Sequence, residues 1–588
     1  MSHIPSQPNL DFSTPQHSWS VRFWSLIVVA GAAAGLVGGF LMRLLHAVEH
    51  LAWNFRTGTF LEAVSNVSAV HRILILFAAG ILVGVSQILN RKIFSVSGEV
   101  DSAIWFRSGR MPLIATLAQA IQSIVIVGMG ASLGRESAIK QAAGAIASAL
   151  AQLSQLSRAE QRVLVACGVG AGMAAAYNVP VGGALFAVEI LIGSISLRLA
   201  LPALVCSAIA TATSWILLPT GPVYDVPEYP LSISLMVWSV WAGPVLGLLT
   251  VLLVRAIAWS EDHKPAGNIR IFMVPAVVFS LLGLASTVYP QLLGNGQDAV
   301  QLALNADFRF SLLLVLPLLK ALATTGCLTS GAHGGLFTPT MAIGALLGGL
   351  LGHAWDCIWP GASMGCCSVI GAGAFLAAAS QGPVSALALV LELTRHVDAT
   401  MVPMLLAVSG AMLVARRFES DSIYSLRIRS TNPRPEPTPS DRLPSFEHLI
   451  SRDFSVISAA TGYGELLRGL LLSAIEYPLY VVDHEGILLG RIDAKSLNIT
   501  ELGPLPLEAA KAADFARPLK SLDSQMSEQD VRESFAKVGD PHLPVIDSKT
   551  GRLIGIVKRN AQNTAQPQPA AQARENVQDP WLARRAEE

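Results

Sequence analysis

The sequence predicts an all-α polytopic membrane protein made of two internal repeats with broken helices, followed by a small α+β domain. Three observations carry that expectation. The chain of 588 residues is apolar and poor in charge, with 52% hydrophobic residues, 14% charged residues and 49 glycines. Its mean hydropathy is +0.50, a profile of membrane rather than soluble chains. Apolar segments interrupted by Gly and Pro recur in two matching sets, and past Arg416 the long apolar runs stop and charges become frequent.

Residues 1–20 are polar and lack the basic, apolar, small-residue order of a cleavable signal, so they read as a tail. The first apolar run, 24–48, is long enough to cross the roughly 30 Å hydrocarbon layer. Others follow at about 70–90, 112–130, 138–155, 161–178, 181–217, 232–258, 270–290, 309–329, 338–358, 366–380 and 383–415. Charge within them is scarce: between Val163 and Pro219 only Glu189 and Arg198, and between Phe310 and Trp355 only Lys320. Several runs are too short for an ordinary span, and many are cut by Gly or Pro. Broken backbone at membrane depth is tolerated only where it is buried in protein or lines a cavity, which favours a transporter or channel over an anchor. Residues 21–426 are thus expected to form a transmembrane domain and 427–445, rich in Pro, Ser and Arg, a linker. A paired-repeat domain is expected over 446–562 and a disordered tail over 563–588.

Shifting the chain by 203 residues lays Gly168–Glu189 over Gly371–Glu392 with nine of 22 positions identical, among them Pro180/Pro383, Val181/Val384 and Glu189/Glu392. The same shift brings GMGASLGRES (Gly128–Ser137) over GAHGGLFTPT (Gly331–Thr340), the two most Gly-rich breaks. Corresponding broken segments in two membrane repeats point to a transport site. Whether the halves run parallel or inverted stays open at this level. Each break precedes a helix-compatible run, Ile139–Leu150 and Met341–Leu350. Each therefore offers a helix N-terminus inside the protein, with unpaired N–H groups and about half a positive charge. Two such ends aimed at one point bind an anion without a fixed cation, and transport wants binding that is favourable but weak. Glu136 falls in the first turn after the first break, where its carboxylate can occupy the place of the anion and release it on protonation. Pairing with Arg135 or simple capping is the competing role for Glu136. Leu336 and Phe337 could present amides at the second break, Tyr424 a hydroxyl, and His333 a loop hydrogen bond. Glu189 and Glu392, at equivalent positions, suggest helix–helix roles.

These residues resemble the ClC family of chloride channels and transporters. GRES (Gly134–Ser137) stands where the family has Gly-Arg-Glu-Gly-Pro, and GGLFTP (Gly334–Pro339) is like its Gly-Gly-x-Phe-x-Pro signature. Ala174–Glu189 looks like the segment after the gate, and Asp421–Ser425 like the one bearing the ion-coordinating tyrosine. The resemblance implies a ClC fold of two inverted repeats with many short, tilted and broken helices. It also implies a homodimer in the cell (inner) membrane with its C-terminal domain cytoplasmic. It makes Glu136 the gating glutamate and gives Gly134, Arg135, Ser137, Leu336, Phe337 and Tyr424 to the anion. The first anion-binding loop of the family is not recognisable, and the nearest region, SVSGEVD, offers Ser97 or Ser95. Ile190 replaces the glutamate that takes protons from the inside in proton-coupled members, so strict exchange of chloride for protons is not expected.

In the C-terminal part PLYVVDHEGILLGRID (Pro478–Asp493) resembles HLPVIDSKTGRLIGIV (His542–Val557), with Val481/Val545, Gly486/Gly551 and Gly490/Gly555 among the matches. Each copy reads as strand, Gly turn and strand behind a helical pattern, Tyr463–Ile475 and Ser527–Val538. The pair resembles CBS modules, which often bind adenine nucleotide. The usual Ser/Thr and Asp contacts are poorly matched by Asp493–Ser496 and Lys558–Ala561, so no cofactor is expected and a dimerisation role fits as well. Basic and acidic residues balance at 41 each, which gives no handle for nucleic acid. The six cysteines show no metal or disulfide spacing, and no nucleophile or phosphate loop marks an enzyme. The alternative function is a transporter for another ion, such as a divalent cation, regulated by the paired modules; it would call for clustered intramembrane acids. The scattered Glu136, Glu189 and Glu392 form no such cluster.

Overall fold

A computed structural model describes residues 19–426 apart from 56, 94–99, 101–102, 105–108 and 396–399. It also describes 449–559 apart from 452–454, 464–478, 484–485, 493–509, 518, 525, 527, 539 and 549–550. Ser95, Ser97, the linker 427–445, Asp493–Ser496, most of Tyr463–Ile475 and the tail 563–588 lie outside the described residues. The chain divides into two compact units at Pro433/Arg434.

The first unit is helical. Its first half holds α1 (Val21–Trp53), α2 (Phe60–Asn66), α3 (Ala69–Ile93), α4 (Leu113–Gly128), α5 (Glu136–Leu153) and α6 (Arg158–Tyr177). It continues with α7 (Pro180–Leu185), which passes into a π-turn over Phe186–Ile192, and α8 (Leu197–Ser214). The second half holds α9 (Ile233–Asp262), α10 (Asn268–Ser286), α11 (Gln297–Leu304), α12 (Phe310–Thr329), α13 (Phe337–Asp356), α14 (Met364–Ser380), α15 (Pro383–Thr394) and α16 (Met401–Arg417). Seven of the described helices (α1, α3, α8, α9, α10, α12 and α13) are long and apolar enough to cross a membrane. Large apolar side chains are exposed along them, including Leu74 and Phe77 of α3, Val277 and Leu281 of α10, and Leu314, Leu318 and Leu322 of α12. Such faces would be a liability in water and are the natural solution against lipid. Local chemistry sets many of the ends. Ser157 and Glu160 form a capping box at the start of α6, as Thr59 and Glu62 do for α2. Asn178 and Gln381 close α6 and α14 in the left-handed conformation.

The duplication is visible in packing. Helix α5 crosses α6 where a Cβ on Gly168 would meet the Ala147 side chain. Helix α13 crosses α14 where a Cβ on Gly371 would lie 2.6 Å from Gly348 Cα. Small residues let both pairs approach backbone to backbone, the usual device where lipid supplies no hydrophobic drive. The Glu189 carboxylate, in the π-turn, accepts from the first amides of α15, Val384 N at 3.1 Å and Ser385 N at 2.6 Å. The Glu392 carboxylate, in α15, accepts from Val181 N at 3.1 Å and Gly182 N at 2.6 Å of α7. Donors and acceptors in the two contacts are related by the same 203-residue shift. Such reciprocity is the mark of a two-fold relation between the halves. Each glutamate thus caps the helix start of the other repeat, the structural role their equivalence suggested.

The second unit carries two small sheets. Strand β2 (Ser455–Ser458) pairs parallel with β3 (Leu479–Val482), which pairs antiparallel with β4 (Leu488–Ile492). Strand β5 (Leu522–Asp523) likewise pairs parallel with β6 (His542–Ile546), and β6 antiparallel with β7 (Leu553–Lys558). Strand β1 (Ile450–Ser451) adds to β7. The register slips after Val481 in one copy and after Val545 in the other. Both turns use a glycine at positive φ, Gly486 at 83° and Gly551 at 68°. Helix α17 (Glu528–Lys537) fills the place the second helical pattern predicts.

Candidate functional site

The two Gly-rich breaks meet. Gly134 N donates to Gly335 O at 2.8 Å and Gly335 N to Gly134 O at 2.6 Å, an antiparallel bridge between the loops. Each loop can leave its preceding helix sharply because a glycine adopts positive φ there, Gly130 at 103° and Gly331 at 82°. The helices then start earlier than the apolar runs suggest, α5 at Glu136 and α13 at Phe337. Burial explains the difference: Glu136, Ser137, Phe337 and Thr338 are all packed inside the protein. A buried backbone is driven into helix because it cannot turn to water for its hydrogen bonds.

Glu136 is fully buried and its carboxylate is surrounded by donors. Phe337 N, the first amide of α13, donates to Glu136 Oε1 at 2.6 Å. The Tyr177 hydroxyl donates to Oε2 at 3.3 Å, and Thr338 Oγ1 stands 3.4 Å from the same oxygen. Tyr177 Oη and Thr338 Oγ1 are 2.8 Å apart, a hydrogen bond in which either hydroxyl can donate. The Tyr177 ring packs against Phe337 with ring centres 5.6 Å apart, and the Arg135 guanidinium lies over the Tyr177 ring, 5.1 Å from its centre. Glu136 therefore does not pair with the adjacent Arg135 in the described contacts; it spans the gap between repeats.

Its two chain neighbours face different cavities. Arg135 lines the larger, of about 270 Å³, together with Glu49, His46, His50 and Asp298. Ser137 lines the smaller, of about 30 Å³, together with Gly335, Leu336, Tyr424 and Lys140. The smaller is enough to admit a small ion. Glu136 lies between these two neighbours in the chain. Tyr424 is buried, with its ring edge-on to Phe186 at 5.3 Å. Phe186 opens the π-turn, a helix irregularity that often marks functional sites. Gly134, Arg135, Ser137, Leu336, Phe337 and Tyr424 are thus brought to one region. His333 is held through its carbonyl, which accepts from Ser123 Oγ at 2.9 Å.

Three residues escaped the reading of the sequence. Tyr177 and Thr338 lie 161 positions apart and meet only through the packing of the repeats. Lys140, nearly buried, holds its ammonium 4.4 Å from the Tyr424 ring centre and 4.7 Å from that of Phe186. A signal for it existed: it is a lone charge in the 138–155 run, one helical turn past Glu136.

Known proteins resemble the chain in sequence and in fold. A family model described as voltage gated chloride channel matches residues 95–416. The voltage-gated ClC-type chloride channel ClcB of Citrobacter koseri is 30% identical over 411 residues, covering 68% of this chain and 96% of its own. A putative chloride channel protein ClcB-like of Ralstonia nicotianae is 30% identical over 67% of this chain and 95% of its own. Among solved structures, a slow cyanobacterial Cl⁻/H⁺ antiporter superposes with a TM-score of 0.63 at 21% identity, over 71% of this chain and all of its own. A eukaryotic CLC transporter superposes with a TM-score of 0.58 at 17% identity, over 92% of this chain and 98% of its own. These likenesses fix the fold, a multi-pass membrane unit joined to a C-terminal α+β unit. With a family match over more than half its length and relatives covered nearly end to end, the chain belongs to the voltage gated chloride channel (ClC) family.

Proposed function

We propose that the protein carries chloride or a similar small anion across the membrane, with Glu136 as a protonatable gate. One observation carries the reading: the amide that opens α13 donates to Glu136 Oε1 at 2.6 Å. That amide has no partner within its own helix and sits at the positive end of the helix dipole, so it suits an anion. A carboxylate there takes the anion's place, and a protonated one has less reason to stay. Gly134, Ser137, Leu336 and Phe337 supply the surrounding backbone, Tyr424 supplies a hydroxyl to the smaller cavity, and Arg135 sets a positive field in the larger. Ser97 keeps its assignment to the first anion loop by resemblance alone. The names of the relatives support chloride as the cargo. Chloride flux from liposomes reconstituted with the full chain tests the reading, and its absence would leave the alternative of another ion.

Proton coupling is a separate matter. Ile190 lies against Gly382, close enough that a Cβ on the glycine would meet its Cγ1 at 2.7 Å. An aliphatic side chain relays no proton, so the native protein is expected to move little or no proton against chloride. Simultaneous chloride and pH recording in vesicles checks this, and a fixed anion-to-proton ratio would refute it. The C-terminal unit, read as a CBS pair on the cytoplasmic side, serves dimerisation in this proposal without a nucleotide.

The hydroxyls should matter modestly. At 3.3 and 3.4 Å the bonds from Tyr177 and Thr338 to the carboxylate are long, so each is worth about 0.5–1 kcal/mol. Tyr177→Phe and Thr338→Val should each raise chloride flux at alkaline pH about two- to five-fold, since less holds the ionised carboxylate in place. The double variant should gain less than the product, because both hydroxyls belong to one network. Unchanged alkaline flux in the double variant would mean the hydroxyls are idle.

A further inference from the structure

Lys320 lies buried in the middle of α12, a spanning helix with no other charge in it. An ionisable group at that depth is costly and marks a functional part of the protein. Its ammonium donates to Leu292 O at 3.0 Å and to Gly294 O at 2.9 Å. Both carbonyls belong to the segment between α10 and α11, whose Leu293, Gly294, Asn295 and Gly296 line the larger cavity. The fit is close: a Cβ on Gly296, at φ 92°, would come within 3.1 Å of Lys320 Cε. Gly294 is held from its other side as well, since its amide donates to Gly130 O at 3.0 Å. Gly130 belongs to the first Gly-rich break, six residues before Glu136. The Thr324 hydroxyl, one turn further along α12, stands 3.5 Å from Ser132 Oγ of the same break. Helix α12 of the second half thus reaches the break of the first half twice, once through Lys320 and Gly294 and once directly.

We propose that Lys320 is a positioning residue for the gate: it pins segment 292–296 against the first break and so fixes where Glu136 meets Phe337 N. The inference rests on the gate reading above and adds to it the residue that keeps the gate in register. Two main-chain carbonyls converge on one nitrogen, and a lysine with three N–H groups satisfies both. Without it two buried acceptors lose their donor, and the segment must shift to find others. The break then loses its support, and Glu136 the alignment that its 2.6 Å contact with Phe337 N requires. Asp298 of α11 and Cys327 of α12 interact electrostatically with Lys320. Tyr177 of α6 and Tyr224, in the segment after α8, do so with Glu136, which Arg135 adjoins in the chain.

The test is chloride flux across a range of pH from liposomes reconstituted with the full chain. In Lys320→Met the rise of flux on acidification should begin about half a pH unit to one unit higher. Alkaline flux should be about two- to ten-fold above the wild type. A loss of stability alone would lower the yield of protein and leave that profile where it was. In a Glu136→Gln background the same substitution should change flux less than about two-fold, because it acts through the carboxylate. A Met variant with the wild-type pH profile overturns the inference and leaves the gate reading intact. So does one whose flux rises as much with glutamine at 136. Gly294→Val keeps the charge of Lys320 but forces the pinned residue off its φ of 67°. It should move the profile in the same direction, and it decides should the Met variant fail to fold. A wild-type profile in that variant would mean that Lys320 does not act by holding the segment. A native protein whose flux ignores pH overturns the gate reading and this inference together.

Discussion

Glu136→Gln should yield a protein that still conducts chloride but no longer responds to pH. The glutamine has the shape of the glutamate and its carbonyl can still accept from Phe337 N, so the packing of two buried helix starts is kept. What it loses is the ability to ionise. A hydrogen bond to a charged acceptor contributes about 1.5–3 kcal/mol and a neutral one about 1 kcal/mol. The amide therefore competes with chloride for the Phe337 amide less well than the carboxylate does, by about 0.5–2 kcal/mol. At alkaline pH flux should rise about two- to thirty-fold over the wild type, and the pH profile should flatten at that level. Chloride and pH electrodes reading the same liposome suspension measure both quantities. A Gln variant whose flux still climbs on acidification would remove Glu136 from the role of gate.

Gly335→Ala is expected to reach a similar end with Glu136 untouched. A Cβ built on Gly335 would fall well inside contact distance of Glu136 Oε1. What it meets is the end of a flexible side chain, and Gly335 is not among the glycines at positive φ. The cheap response is for the carboxylate to leave, so the fold should survive and the gate should not. Alkaline flux should rise about ten-fold, in the range expected for Glu136→Gln. Combining the two substitutions should add little to either, since the methyl group and the amide disable one contact. A Gly335→Ala protein of native thermal stability and wild-type pH response would show that the carboxylate's present position does not govern passage.

The parts of the site that were legible in the sequence are those encoded locally. Gly-rich breaks ahead of helix-forming runs, an acid in a first turn and a pair of matching segments can all be read within short windows, and the bridge between Gly134 and Gly335 brings the two breaks together. What resisted reading depends on which residues the fold makes neighbours. Nothing near Tyr177 in sequence says that its hydroxyl will meet Thr338, nor that Glu189 will find the amides of α15 rather than those of its own segment. Lys140 was passed over for another reason. Composition made the run 138–155 look apolar, and a charge within it was absorbed by the average, although its spacing from Glu136 put it on the same helical face.

The exchange of glutamates between α7 and α15 bears on the order in which the chain can be completed. The amide of Val181 waits for Glu392, which leaves the ribosome 211 residues later. At about 5–20 residues per second that is a delay of roughly 10–40 s. Throughout this interval the newborn first half carries an uncapped helix start. Its closure is synchronous with that of the second half, because one encounter supplies both missing acceptors. Neither half is finished before the other, so biogenesis has a single late locking step.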